Sequence, residues 1–197
     1  MGDMIKMVVV LTVLSAFSGG LLAAIRDQTK DKIELQQLQF VKGPAIRAIF
    51  QGASNDPIAS RFKIKDGDVE RNFFVGIFDA KSPAVAFETF GKGYGGDVGL
   101  MVGVSMDDGK MIGVGVTTHS ETPGMGAKAK DDPKYVNQFK GSSTEEPVKI
   151  TGDGGKINAI GGATITSRAI CAAATEASEV YKRLKPQIEE QMKAFIK

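Results

Sequence analysis

Gly161-Gly162-Ala163-Thr164-Ile165-Thr166-Ser167 stands directly before the most regular apolar pattern in the chain, in which Ile170, Ala173, Ala177, Val180 and Leu184 recur every three or four residues. That spacing predicts an amphipathic helix from Thr166 to Leu184, with one face free to pack on something flat. Gly161, Gly162 and Ala163 strip the preceding loop of side-chain bulk, so a large group can approach its backbone. The first helical turn adds N–H groups outside the hydrogen-bond ladder and the positive end of the helix dipole. Thr164 contributes a hydroxyl that can hydrogen-bond a phosphate or be esterified to one, and Thr166 and Ser167 are expected as helix caps. An anion belongs at such a place; the plainer reading is a Gly-rich loop with an ordinary cap. No Gly-Lys-Ser/Thr follows, so this is not a Walker loop, and the glycine spacing is not the dinucleotide fingerprint.

The flat partner for that helix is found upstream. Arg61 to Ile64, Phe73 to Phe78, Val85 to Phe90, Val98 to Ser105 and Met111 to Thr118 are short β-rich runs, read as one antiparallel sheet. Asp66-Gly67-Asp68 and Asp107-Asp108-Gly109 read as hairpin turns, where Gly and Asp tolerate positive φ. The twelve-residue spacing and closing Glu of a calcium loop are absent, and no metal site is expected. A short helix is expected around Pro133 to Phe139, and Pro186 is expected to end or bend the last helix, with 187–197 continuing as a polar tail helix. The fold class is therefore α+β, an antiparallel sheet packed by helices.

Composition narrows the function. Twenty-five Lys plus Arg against 23 Asp plus Glu, with 7% aromatics, give no basic stripe for a nucleic acid. One cysteine, Cys171, and one histidine, His119, exclude an internal disulfide and a Cys/His zinc module. Met7 to Ile25 is a stretch of 19 residues without a charge, about 28 Å as a helix and close to the hydrocarbon thickness of a bilayer. It reads as an uncleaved anchor; the alternative, a cleaved signal peptide, has a shorter apolar core and a small-x-small site. Lys6 before the span against Arg26, Lys30 and Lys32 after it would put the C-terminal side in the cytoplasm, though long domains translocate largely regardless of such counts. From 27 to 50 a helix leaves the membrane and is interrupted at Gly43-Pro44. The divisions are a membrane anchor 1–30, a helical connector 31–60, a ligand-binding domain 61–185 and a polar tail helix 186–197.

Two further segments suit a flat ligand. In His119-Ser120-Glu121-Thr122-Pro123-Gly124-Met125-Gly126, Pro123 stiffens a loop whose glycines let the backbone lie against a ring, and Met125 offers an adaptable apolar surface. Glu121 and Lys128 are read, from their positions alone, only as groups that support ligand-contacting residues from behind or stabilise the loop. His119 beside Ser120 is not a hydrolase pair, since adjacent residues do not form one and no Gly-x-Ser-x-Gly elbow exists. In Gly91-Lys92-Gly93-Tyr94-Gly95-Gly96 the glycines permit a sharp entry to the next strand; Tyr94 covers a ring edge or, as the simpler expectation, packs.

Taken in order, the anchor, the Gly93-Tyr94-Gly95-Gly96 entry, the His119 to Gly126 loop and Gly162-Ala163-Thr164-Ile165-Thr166 resemble the G subunit of the Rnf electron-transport complex. More broadly they resemble the flavin-binding domain shared with the C subunit of sodium-pumping NADH:quinone reductase. The resemblance implies an FMN joined through its phosphate to a threonine hydroxyl, installed by a separate flavin transferase that uses FAD. By motif position that residue is Thr164, with Thr166 the alternative. Gly162, Ala163, Ile165 and Thr166 would surround the phosphate; Ser120, Glu121, Thr122, Pro123, Gly124, Met125, Gly126 and Tyr94 would face the ring. An acidic residue commonly stands where this chain has Asn158, and Ser or Thr where it has Gly161, both within the motif that the transferase reads.

The same resemblance implies an electron relay in an ion-translocating ferredoxin:NAD oxidoreductase, with the redox chemistry supplied by the flavin and no catalytic side chain required. Its partners would be the other members of the complex, the transferase and membrane lipid. It would be a single-pass protein of the cytoplasmic membrane with its soluble domain on the extracytoplasmic side. The competing expectations are an anchored, non-redox nucleotide- or ligand-binding domain, and a chain of this family that has lost covalent flavin.

Overall fold

The computed structural model describes residues 2–78 and 82–195, in two compact units, Met1–Gln39 and Phe40–Lys197. The first is dominated by a single helix, α1 (Gly2–Gln36). Residues Gly2–Lys30 form a stretch long and apolar enough to cross a bilayer, with none of its most apolar window buried by protein. Val8, Leu11, Phe17 and Leu22 are all exposed, and a helix apolar all round needs apolar surroundings. Thr12 Oγ1 donates to the Val8 carbonyl at 2.8 Å, so its hydroxyl is satisfied within the helix. A π-helical segment, Gln37–Lys42, follows.

The second unit carries α2 (Gly43–Ile49) near its start. Gly43-Pro44 begins this helix rather than merely breaking the one before, since Pro in a first turn gives up an N–H that has no partner there anyway. Then come β1 (Arg61–Asp66), β2 (Val69–Phe78), β3 (Ser82–Lys92), β4 (Asp97–Ser105) and β5 (Met111–Val116), in one antiparallel sheet of order β1-β2-β3-β4-β5. Gly67 and Gly109, both at φ +64°, turn the β1–β2 and β4–β5 hairpins. Beyond β5 the pairing runs on, with Gly99 N–H donating to the Thr118 carbonyl at 2.8 Å.

Alternation along the strands builds two different faces. Phe73, Val75, Val85, Phe87, Leu100, Val102 and Val114 belong to the main core, which they share with the long helix α5 (Thr164–Met192). Small residues on α5 let it come close: Thr89 Oγ1 donates to the Ala173 carbonyl at 2.8 Å, and a Cβ on Gly91 would run into the Ala169 carbonyl oxygen. The opposite face carries Gly76, Gly103 and Gly115, where a Cβ would meet Phe50, Ile49 and Ala45. Strand glycines thus cut a groove for α2 and the residue after it. Glu88, on this same face, pairs with Lys42 Nζ at 2.6 Å and accepts from Thr117 Oγ1 at 2.5 Å.

Between β5 and α5 lie α3 (Lys128–Asp131), α4 (Pro133–Asn137) and a 3-10 turn, Thr151–Asp153. Asp132 caps α4 by accepting from Lys134 N–H at 2.9 Å. The last helix departs from expectation at its start and in its continuity: the helix past Pro186 is expected, but as a separate polar tail. It starts two residues early, at Thr164, and it runs through Pro186 to Met192. An interior proline costs about 3 kcal/mol, but Ile188 and Met192 beyond it are buried in the main core, and burial of two such side chains returns about 3–6 kcal/mol. The last helical turns are part of the core and not a polar tail.

Candidate functional site

The start of α5, the loop after β5 and the β3–β4 turn converge on one open cleft of about 520 Å³, lined by Tyr94, Glu121, Thr122, Met125, Gly126, Gly162, Ala163, Thr164, Ile165 and Thr166. Each of these belongs to a segment that the sequence marks for a ligand. Ser120, Pro123 and Gly124 lie outside the lining: Ser120 presents its carbonyl to Gly95, and Gly124 turns the loop at φ +75°.

The two threonines have opposite environments. Thr166 is 2% exposed, and its hydroxyl donates to Glu121 Oε2. Thr164, the first residue of α5, is exposed at the cleft, and among the described residues no hydrogen bond engages its hydroxyl. Neither Thr166 nor Ser167 caps the helix as expected. The N-cap is Ala163, which makes no side-chain cap bond, and Ser167 Oγ instead accepts from Ile160 N–H at 2.9 Å and donates to the Ala163 carbonyl at 3.0 Å. The ladder starts with Ser167 N–H on the Ala163 carbonyl at 3.0 Å, so the N–H groups of Thr164, Ile165 and Thr166 precede it at the cleft, where the dipole favours an anion. Gly162 adopts φ +79° to make this entry.

Glu121 is the buried charge of the site, 6% exposed. Its Oε1 accepts from Gly95 N–H at 2.8 Å while Oε2 takes the Thr166 hydroxyl. Glycines make the room: a Cβ on Gly93 would come within 2.5 Å of Oε1, and one on Gly126 within 2.7 Å of Oε2. The glycines before β4 therefore do more than turn the chain. Tyr94 does not pack; it is 74% exposed, and with the exposed Met125 and Ile165 it gives the cleft an apolar rim.

Flanking groups hold the frame. Arg168 forms a two-pronged pair with Asp153 at 2.7 and 2.8 Å, tying the 3-10 turn to α5; the guanidinium holds the Asp153 carboxyl below its ordinary range. Gln138 clasps the backbone of Asn158, donating to its carbonyl at 3.3 Å and accepting from its N–H at 2.8 Å. Gly161 has open space where a Cβ would stand. Lys128 is exposed at the start of α3. Cys171 is buried in the α5 core, where desolvation raises its thiol to about 12. Among the described residues no cluster of His, Cys, Asp or Glu is arranged to hold a metal ion.

An open cleft of this size with a helix N-terminus, a free hydroxyl and an apolar rim suits a phosphorylated aromatic ligand. The class is that of an FMN-binding domain, a family that matches residues 93–179. The G subunit of the ion-translocating oxidoreductase complex of Methanosarcina acetivorans is 30% identical over 173 residues, covering 85% of this chain and 89% of that protein. Its counterpart in Cereibacter sphaeroides is 32% identical over 169 residues, covering 81% and 76%. The chain belongs to this family of G subunits. The fold is also that of the C subunit of the Na(+)-translocating NADH-quinone reductase of Parabacteroides distasonis, with a TM-score of 0.53 at 21% identity over 82% of this chain and 96% of that one. NqrC of Shewanella oneidensis gives 0.50 at 22% identity, over 71% and 72%.

Proposed function

We propose that this chain is a membrane-anchored electron carrier within an ion-translocating ferredoxin:NAD oxidoreductase, working through an FMN joined by its phosphate to Thr164. The observation that carries the choice of residue is the contrast between Thr164, free at the cleft, and Thr166, buried on Glu121. The phosphate would lie over the N–H groups of the first turn of α5 and the ring against Tyr94, Met125 and Ile165. FMN supplies the chemistry of accepting and passing electrons; the protein supplies attachment, orientation and shielding, and no acid or base is asked of its side chains.

Attachment by a flavin transferase balances as an exchange at phosphorus. The Thr164 hydroxyl oxygen bonds to the FMN phosphorus of FAD, the pyrophosphate bond breaks, and AMP leaves while the hydroxyl proton passes to solvent. A covalent bond suits a domain on the extracytoplasmic side, where a lost FMN would not be replaced. On this reading α1 crosses the membrane once among lipid and the other members of the complex, and small residues Ser15, Ser18, Gly19 and Gly20 allow neighbouring helices close approach.

The test is flavin fluorescence of the denatured full chain in a gel after co-production with its transferase. Wild type fluoresces and Thr164→Val is dark. A fluorescent Thr164→Val would move the attachment elsewhere, and a dark wild type beside a labelled known substrate would remove the covalent reading.

A further inference from the structure

We propose that Glu121 is a positioning residue for the flavin, a clamp that holds two walls of the cleft at fixed separation. The inference rests on the FMN reading for its ligand, but its structural half stands without one. A single buried carboxylate accepts from the Gly95 N–H at 2.8 Å and from the Thr166 hydroxyl, so it joins the turn that carries Tyr94 to the helical turn that carries Thr164. Among the described residues no cation pairs with it. Bonds to a charged acceptor are about twice as strong as neutral ones, and a buried carboxylate that loses one is costly, so the geometry is strongly specified.

The surrounding glycines fit this role. A side chain at Gly93 would press on one carboxylate oxygen and one at Gly126 on the other. Neither glycine has positive φ, so space around the carboxylate, and not backbone conformation, is what the missing Cβ provides. The clamp has two consequences. It withholds the Thr166 hydroxyl from transfer, leaving Thr164 as the free hydroxyl of the two at the start of α5, and it fixes the Tyr94 turn beside the place where the ring would lie. A displacement of about 1 Å at such a site costs up to about a hundredfold in the reaction it positions.

The experiment uses the full chain with and without flavin. In flavin-free protein, Glu121→Ala should speed amide exchange at Gly95 by about tenfold or more, as expected when a bond to a charged group is lost, while the β2–β3 ladder stays protected. With the transferase present, Glu121→Ala and Thr166→Val should each slow flavin attachment by about tenfold and flatten the visible circular dichroism of what attaches; Thr166→Ser, which keeps a hydroxyl, should restore both. Arg183→Ala, whose partner Asp66 lies on β1, serves as a stability control and should leave both readouts at wild-type values. Unchanged Gly95 exchange in Glu121→Ala, or the same loss of loading in Arg183→Ala, would overturn the clamp. A wild type that stays dark while Gly95 exchange responds would retain the clamp and sink the covalent-carrier reading instead.

Discussion

Thr164 and Thr166 are chemically identical and two positions apart, yet burial gives them different tasks. Thr164→Val removes an exposed hydroxyl with no partner among the described residues, so unfolding in urea should shift by less than about 0.5 kcal/mol while flavin attachment is lost. Thr166→Val strands a buried carboxylate oxygen and should cost about 1–3 kcal/mol; equal stability of the two variants would contradict the assignment. The sequence reading prefers Thr164 by motif position, but it does not show that Thr166 is buried on Glu121, because that partner is 45 residues away. Tyr94 is illegible for the same reason: an aromatic between glycines reads equally as core or rim until the cleft is assembled. Cys171 is simpler. Its alanine-rich surroundings in the sequence already suggest burial, and with the thiol raised to about 12 it should resist a thiol reagent at pH 8 in the folded protein and react on unfolding.

Elements are easier to read than their faces. β-branched and aromatic runs separated by Asp-Gly turns mark the five strands, because the pleat and the turn each impose a local requirement. What local sequence does not reveal is that Gly76, Gly103 and Gly115, on three strands, together admit α2 and Phe50, or that Ile188 and Met192 pull α5 past Pro186. Tertiary packing decides both. Two glycines, one against α5 and one in the loop before it, should therefore respond differently to substitution. Gly91→Ala drives a Cβ into the Ala169 carbonyl and should cost about 1–3 kcal/mol. Gly161→Ser enters open space and should leave the urea midpoint unchanged within error. A large loss in Gly161→Ser would show that the loop there is under a constraint other than space.

At the scale of the whole molecule, charge ties the sheet to the far half of α5. Asp66, in the β1–β2 hairpin, accepts from Arg183 of α5 at 2.8 and 3.0 Å and from Arg71 of β2 at 2.9 Å. The Arg183 bond first, then Arg71, hold its carboxyl below the ordinary value of 3.8 against the opposing effect of desolvation. A carboxylate whose folded value is depressed contributes stability above pH 3.8, and that contribution is lost as pH falls through the lower folded value. Arg183 is half-exposed, so solvent screens its share, and Asp66→Asn should cost about 1 kcal/mol at pH 7. The gap between wild type and variant should close as the solution is acidified below that value; a gap constant with pH would mean that the pair does not act through charge. On the proposed function, the apolar anchor and the cleft at Thr164 would together keep a flavin at a membrane by two attachments, one apolar and one covalent. Mass spectrometry of the peptide spanning Gly161 to Arg168, from full chain co-produced with its transferase, is the decisive measurement for covalent flavin at Thr164. The peptide should be heavier by FMN less one water, with fragmentation placing the addition on Thr164. An unmodified peptide, or an addition on Thr166, would contradict that attachment.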